Sequence, residues 1–275
     1  MKHYPVNTFN RKRGRWPIVA AIVGLLLVAG LIPLMTLCNS QAKAEPPTVV
    51  IRVDDIQDYA FREGQVFLLD ESVTQHVPLS LAVIPNSFGK DGELVEKVKL
   101  AVDEGSDVTV HGWAHEDLAL LSFREQAALL FQSKSRIKEV LGVTPTVLVP
   151  PKYSYNKDTL TAMGEEGYNI VSAFIDISPP GVISNVVSLP ATVELSTYSK
   201  GTWSMKTPDA VQLEVLKSVQ KYGFAVIVTH PQEFIEDGKL SEANAESYLG
   251  LLAAFKDKYS FKNMEELGQE RRAQR

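Results

Sequence analysis

The chain has 275 residues, 28 of them basic and 33 acidic, for a formal charge of −5, and 45% are hydrophobic. All of the acids lie after residue 44, so the remaining body carries a clear acidic excess that argues against nucleic acid as a partner. The single cysteine, Cys38, excludes an intrachain disulfide, so a packed core has to hold the fold.

Residues 1–15 carry Lys2, Arg11, Lys12, Arg13 and Arg15 with no acid, and Pro17 to Leu37 then runs 21 residues without a charge. At about 1.5 Å per residue such a helix reaches about 30 Å, the thickness of a bilayer core. The basic flank is expected to stay cytoplasmic, with everything after it outside. Segment 16–44 is therefore expected to be a signal peptide or a membrane anchor. Ala42-Lys43-Ala44 offers a small-x-small cleavage site, while the length of the apolar run favours an anchor. Leu37 is too large for a lipidation signal at Cys38. The expected location is extracytoplasmic, secreted or held at the membrane by this segment alone.

From residue 45 onward β-branched runs alternate with helical patterns. Strands are predicted at Thr48–Val53, Pro78–Ile84, Asp107–Val110, Thr146–Val149, Asn169–Phe174, Val186–Leu189 and Ala225–Thr229. Helices are predicted at 91–104, 122–141, 157–166, 208–222 and 241–259. Ser122 with Glu125 makes a capping box for the second of these, and Gly223 ends the fourth. Apolar strands separated by helices imply a parallel sheet covered on both faces. Seven such units predict one α/β domain over 45–275, a distorted (β/α) barrel, with a doubly wound sheet as the alternative. No glycine-rich phosphate loop is present.

Three strands run out into chemistry-bearing residues, the place where parallel α/β folds build their sites. The first ends in Asp54-Asp55, the third in His111-Gly112-Trp113-Ala114-His115, and the last in Thr229-His230-Pro231. A spacing of four lets His111 and His115 converge on one ion, from a helical turn or a tight loop. Imidazoles with a carboxylate suit zinc and its relatives. Adjacent aspartates leaving a strand point in opposite directions, so one could bind metal while the other acts as a base. A plainer reading makes them helix caps, although Asp58 could serve there instead. Trp113, Tyr153, Tyr155 and Trp203 are the aromatics placed to stack on a sugar or to pack the core.

Taken in order, these segments resemble the polysaccharide deacetylases, the NodB-homology or carbohydrate esterase family four. Val53-Asp54-Asp55 matches the family's first motif, His111 to His115 its second, and Val228-Thr229-His230 its fifth. Val149-Pro150-Pro151-Lys152-Tyr153 approximates the third, although the family's arginine is Val149 here. Phe174-Ile175-Asp176 is at best an echo of the fourth.

The resemblance implies that Asp55, His111 and His115 hold a divalent metal, zinc first among them, with Asp54 as base and His230 as acid. It implies a substrate wall of Pro151, Lys152, Tyr153 and Trp113, with a backbone N–H near Lys152 for the oxyanion. The implied activity is removal of acetyl groups from an extracytoplasmic carbohydrate polymer or oligosaccharide. The alternatives are a related metal hydrolase cutting another C–N, ester or glycosidic bond, and a non-catalytic sugar-binding envelope protein.

Overall fold

The computed structural model describes residues 45–199 and 202–274, and the basic flank and apolar segment expected before residue 45 lie outside the described residues. Strand β1 (Thr48–Ile56) sorts its side chains by parity. Val49, Ile51 and Val53 enter the large cluster beneath the helices, while Val50 joins Phe224, Val226 and Val228 in a second cluster. That second cluster and Arg52 fill the inside of a barrel.

Chain order continues with α1 (Arg62–Gln75), β2 (Leu79–Val83), α2 (Gly92–Asp103), β3 (Asp107–Val110), α3 (Phe123–Leu141), β4 (Val147–Leu148), α4 (Lys157–Glu165) and β5 (Ile170–Val171). Then come β6 (Gly181–Ile183), β7 (Val186–Ser188), β8 (Val193–Glu194), β9 (Ser196–Ser199), β10 (Thr202–Met205), α5 (Pro208–Tyr222) and β11 (Phe224–Thr229). The chain ends with β12 (Ile235–Glu236), β13 (Lys239–Leu240), α6 (Glu242–Phe255), β14 (Ser260–Phe261) and α7 (Met264–Ala273).

Strands β5, β4, β3, β2, β1 and β11 are parallel neighbours in that spatial order. The stretch 186–194 closes the ring. It pairs with β5 through Ile170↔Val187, bridges Phe174↔Ala191, and pairs with β11 through Ile227↔Val193. Seven parallel staves result, as the sequence predicts, and the doubly wound alternative is excluded.

The helix ends follow local chemistry. Ser122 and Glu125 form the expected capping box, Asn156 and Asn263 head two more helices the same way, and Gly142 and Gly223 end theirs in the left-handed conformation. Helix α7 lies outside the predicted elements, because only Met264 and Leu267 in it are large and apolar. It stoppers the N-terminal end of the barrel. The Met264 N–H donates to Ser80 Oγ at 2.8 Å and the Glu265 N–H to Asp107 Oδ2 at 3.0 Å. Hairpin β9–β10 was not foreseen either, and it rises beside the opposite, C-terminal end of the barrel. Among the described residues, no helix is long and apolar enough to cross a membrane.

Candidate metal centre and active site

The C-terminal end of the barrel opens into a cleft lined by Asp54, Asp55, His111, His115, Lys152, Tyr153, Glu194, Ser196, Tyr198, Trp203 and His230, among others. Asp54 keeps the inward face of β1. Asp55 should then point outward, but it does not. Pairing between β1 and β2 shifts register between Val53 and Ile56, and Asp55 takes a left-handed φ of 64°. This bulge turns the second carboxylate back into the cleft beside the first. The expectation of opposite directions is corrected accordingly.

His111 leaves β3 on a tight loop, which settles the choice that its spacing to His115 left open. Gly112 has φ 68°, and a Cβ there would lie 2.9 Å from Pro151 Cγ. Glu116 braces the loop by accepting the N–H groups of Trp113 at 2.8 Å and Ala114 at 2.7 Å. His115, with φ 62°, then swings its ring toward His111, centroid to centroid 5.0 Å.

The three donors converge. Asp55 Oδ1 lies 3.4 Å from His111 Nε2 and 3.5 Å from His115 Nε2. One ligand atom from each residue falls within 4.8 Å of the others. Asp55 Oδ1 is also buried without a hydrogen-bond partner, which is costly unless something else satisfies it. His111 Nδ1 lies 2.8 Å from the carbonyl oxygen of Val149. A carbonyl can only accept, so Nδ1 carries the proton and Nε2 turns its lone pair to the cleft. This donor set fits a divalent cation of the zinc type. Burial alone would raise the Asp55 pKa, but the nearness of His111 first, and of His230 and His115 after it, outweighs burial and holds the value well below the usual carboxylate range. Burial and then the neighbouring His111 lower that of His115.

Asp54 and His230 sit beside this trio. Val149 stands where the resemblance expects an arginine, and a different arginine reaches the aspartate. Arg52, on the same inward face of β1, is fully buried and grips Asp54 with two hydrogen bonds, Nε to Oδ1 and Nη2 to Oδ2, both 2.8 Å. Its Nη1 donates to the carbonyl and hydroxyl oxygens of Ser172 at 2.9 and 2.8 Å. His230 is served by Glu233, whose Oε1 lies 3.0 Å from Nδ1, while its Oε2 accepts from the Thr229 hydroxyl at 2.7 Å. Burial would lower the pKa of His230, but the Glu233 hydrogen bond and the charges of Asp54 and Glu233 outweigh it and raise the value. Asp176, the echo of the fourth motif, is solvent-exposed.

Of the expected wall, Lys152 and Tyr153 line the cleft, both with positive φ, whereas Pro151 and Trp113 stand outside that lining. Pro151 is buried against the Gly112 loop, and Trp113 gives that loop its backbone N–H, bonded to Glu116. Tyr155 is elsewhere too, its hydroxyl donating to Ser178 at 2.7 Å. The aromatic wall comes from the hairpin. Trp203 lies 5.9 Å from the His230 ring and 4.9 Å from the ring of Tyr198.

Comparison with known proteins agrees with this architecture. Residues 42–171 match the family model described as polysaccharide deacetylase. A chitin deacetylase of Pestalotiopsis is 34% identical over 73 residues, which is 26% of this chain and 24% of that protein. The first curated relatives are matched over only 24% to 36% of their own length. A candidate polysaccharide deacetylase from Mycobacterium smegmatis superposes with TM-score 0.65 at 19% identity, covering 86% of this chain and 93% of that one. A pseudoenzyme of carbohydrate esterase family four from Bacillus anthracis superposes with TM-score 0.54 at 15% identity, covering 81% and 66%. At those identities the structures speak to the fold.

Proposed function

Because the chain is a relative of the polysaccharide deacetylases, we propose that it is a metal-dependent hydrolase removing acetyl groups from an extracytoplasmic glycan. The observation that carries this reading is the convergence, in one cleft, of an ion-binding trio and a paired acid and base. Asp55, His111 and His115 would hold the ion. A divalent cation there supplies an acidified water and a polarised acyl carbonyl.

The chain's own groups divide the proton work. Asp54, held by two hydrogen bonds from Arg52, is an acceptor fixed at the cleft floor and takes the proton of the attacking water. His230 presents Nε2 to the cleft with Nδ1 engaged by Glu233, and its raised pKa favours the protonated form that a leaving nitrogen or oxygen needs. In the turn after Pro150, the Tyr153 and Ser154 N–H groups are committed to the carbonyls of Pro150 and Pro151. Pro151 has no N–H, so the Lys152 N–H is the turn's donor for a developing oxyanion. Tyr198 and Trp203 offer faces on which a sugar ring can stack.

A non-catalytic sugar-binding protein is the second reading, favoured by the fold shared with a pseudoenzyme and by Val149 in place of arginine. Against it, binding alone needs neither Asp54 nor His230. The deciding experiment is acetate release from acetylated chito-oligosaccharides and peptidoglycan fragments, with and without a chelator. Chelator-sensitive release supports the hydrolase, and glycan binding with no release would replace it by the second reading.

Export belongs to the same proposal, carried by the basic flank and the apolar run of the N-terminal segment. A mature N-terminus at Glu45 would establish a cleaved signal, and full-length protein in the membrane fraction would establish an anchor. Full-length soluble protein in cytoplasm would overturn it.

A further inference from the structure

We propose that Arg52 and Glu233 are the positioning residues of the two proton-transfer groups, each acting on a partner from its own stretch of chain. The inference rests on the hydrolase reading above and adds the devices that aim its base and acid.

Arg52 is the largest fully buried side chain of the described residues, and it sits beside a barrel cluster made only of hydrophobic side chains, valine the commonest. A buried guanidinium is expensive, and hydrophobic side chains of similar volume would stabilise the interior as well or better. Its contacts show what it does instead. The planar fork is divided between Asp54 on one side and the backbone and hydroxyl of Ser172 on the other, with Ser172 Oγ in turn donating to the Leu189 carbonyl at 2.6 Å. Both carboxylate oxygens are held, so the Asp54 group cannot rotate. The anchoring runs across the barrel into β5 and to the Leu189 backbone in the closing stretch 186–194. Arginine reaches that carboxylate because residues two apart on a strand share a face.

Glu233 does the same for the acid. It is 3% exposed at the side chain, in the turn that follows β11, and its two oxygens are divided between the hydroxyl of Thr229 and Nδ1 of His230. A carboxylate can only accept, so it assigns the Nδ1 proton and leaves Nε2 as the group that faces Asp54 and the cleft. Thr229 keeps Glu233 from turning away. Glu233 spends both carboxylate oxygens on Thr229 and His230, so its role runs through His230.

Two double-mutant cycles test the proposal in the full-length, metal-loaded protein. Arg52→Lys keeps the charge and loses the two-pronged grip, and it is the safer variant because Arg52→Met would strand a buried aspartate. Arg52→Lys and Glu233→Gln should each lower kcat by about 10–100-fold, the usual cost of losing the outer partner of a site group. KM and metal stoichiometry should stay within twofold (~) of wild type, as expected when orientation alone is lost. In an Asp54→Asn background Arg52→Lys should cost nothing more, and in a His230→Ala background Glu233→Gln should cost nothing more. Undiminished losses in those backgrounds would show a merely structural role and overturn the proposal, as would full activity of either single variant.

Side-chain NMR reads the same question without turnover. The Arg52 Nε–H and His230 Nδ1–H resonances should be shifted downfield and slow to exchange, and each should collapse on substituting its partner. If wild type releases no acetate but these signals are present and coupled, the hydrolase reading fails while the positioning stands. If the signals are absent, the positioning fails whatever the activity.

Discussion

The Nε2 atom of His230 lies 4.0 Å from Oδ2 of Asp54, which sets the proposed acid and base side by side at the edge of the cleft. Neither is a ligand in the trio of Asp55, His111 and His115, so their loss should separate chemistry from metal binding. Asp54→Asn and His230→Ala are expected to keep the metal and lose about 100- to 10,000-fold in acetate release. The His230 variant should suffer most on amide substrates, whose leaving group needs the proton. Metal stoichiometry and kcat on the same preparations check this, and an Asp54→Asn protein with wild-type turnover would end the assignment of the base.

Removal of the trio should do the reverse. Asp55→Ala, His111→Ala and His115→Ala each leave two protein donors, too few for a zinc-type site, and bound metal and activity are expected to vanish together. Glu116 extends the prediction beyond the ligands, because it braces the loop that carries His115. Glu116→Ala should weaken metal affinity by about 10–100-fold, as measured by competition with a chromophoric chelator. Unchanged affinity would mean that the loop holds its shape without that carboxylate.

Asp107 gives the fold a pH dependence of its own, away from the cleft. Burial raises its pKa from an ordinary 3.8 to about 7, against the hydrogen bonds from Ser80 and the Glu265 N–H. Between those two values the folded protein binds more protons than the unfolded chain, so this group makes stability fall as pH rises through that window. Asp107→Asn cannot ionise. Urea denaturation should find the variant gaining on wild type between pH 4 and pH 8, by at least about 1 kcal/mol. Parallel stability profiles for the two proteins would refute the account.

Gly268 lets α7 close on the bottom of the barrel. A Cβ there would come 2.2 Å from Ile170 Cδ1 and 2.8 Å from its Cγ1, and Ile170 is fully buried. Gly268→Ala should destabilise by about 1–3 kcal/mol, even though alanine favours a helix by about 1 kcal/mol over glycine. A rise in melting temperature would show that the stopper can shift at no cost.

Much of this site could be read from the chain before its structure, for a physical reason. Asp54, Asp55, His111, His115 and His230 are polar residues placed directly after apolar strands, where a parallel barrel gathers its chemistry. The partners were harder to see. Arg52 interrupts the run Thr48–Val53, and a charge inside a strand buried on both faces demands a partner on the same face, which Asp54 satisfies. Glu233 follows a proline after the last strand, where nothing in the sequence distinguishes a buried acid from a solvated one. Trp203 and Tyr198 meet only because β9 and β10 pair, with Trp203 opposite Tyr198, and short polar strands leave little trace in hydrophobic pattern. Helix α7 was hidden likewise, since two large apolar residues in ten make no stripe.

Closeness along the chain sets the pairs Arg52–Asp54 and His230–Glu233 apart from the trio of Asp55, His111 and His115 in how they depend on the rest of the molecule. Arg52 with Asp54, and His230 with Glu233, are each joined across a few peptide bonds, so little loop entropy is spent in bringing them together. Asp55 meets His111 and His115 only when β1, β2 and β3 are seated side by side, so the trio reports on the pairing of those three strands. An exchange of the turn after Pro150 would change Lys152 and Tyr153 in the cleft wall while leaving each couple's own two-residue contact in place. The local pairs and the trio thus answer to different parts of the chain, the pairs to single stretches of sequence and the trio to the seating of neighbouring strands.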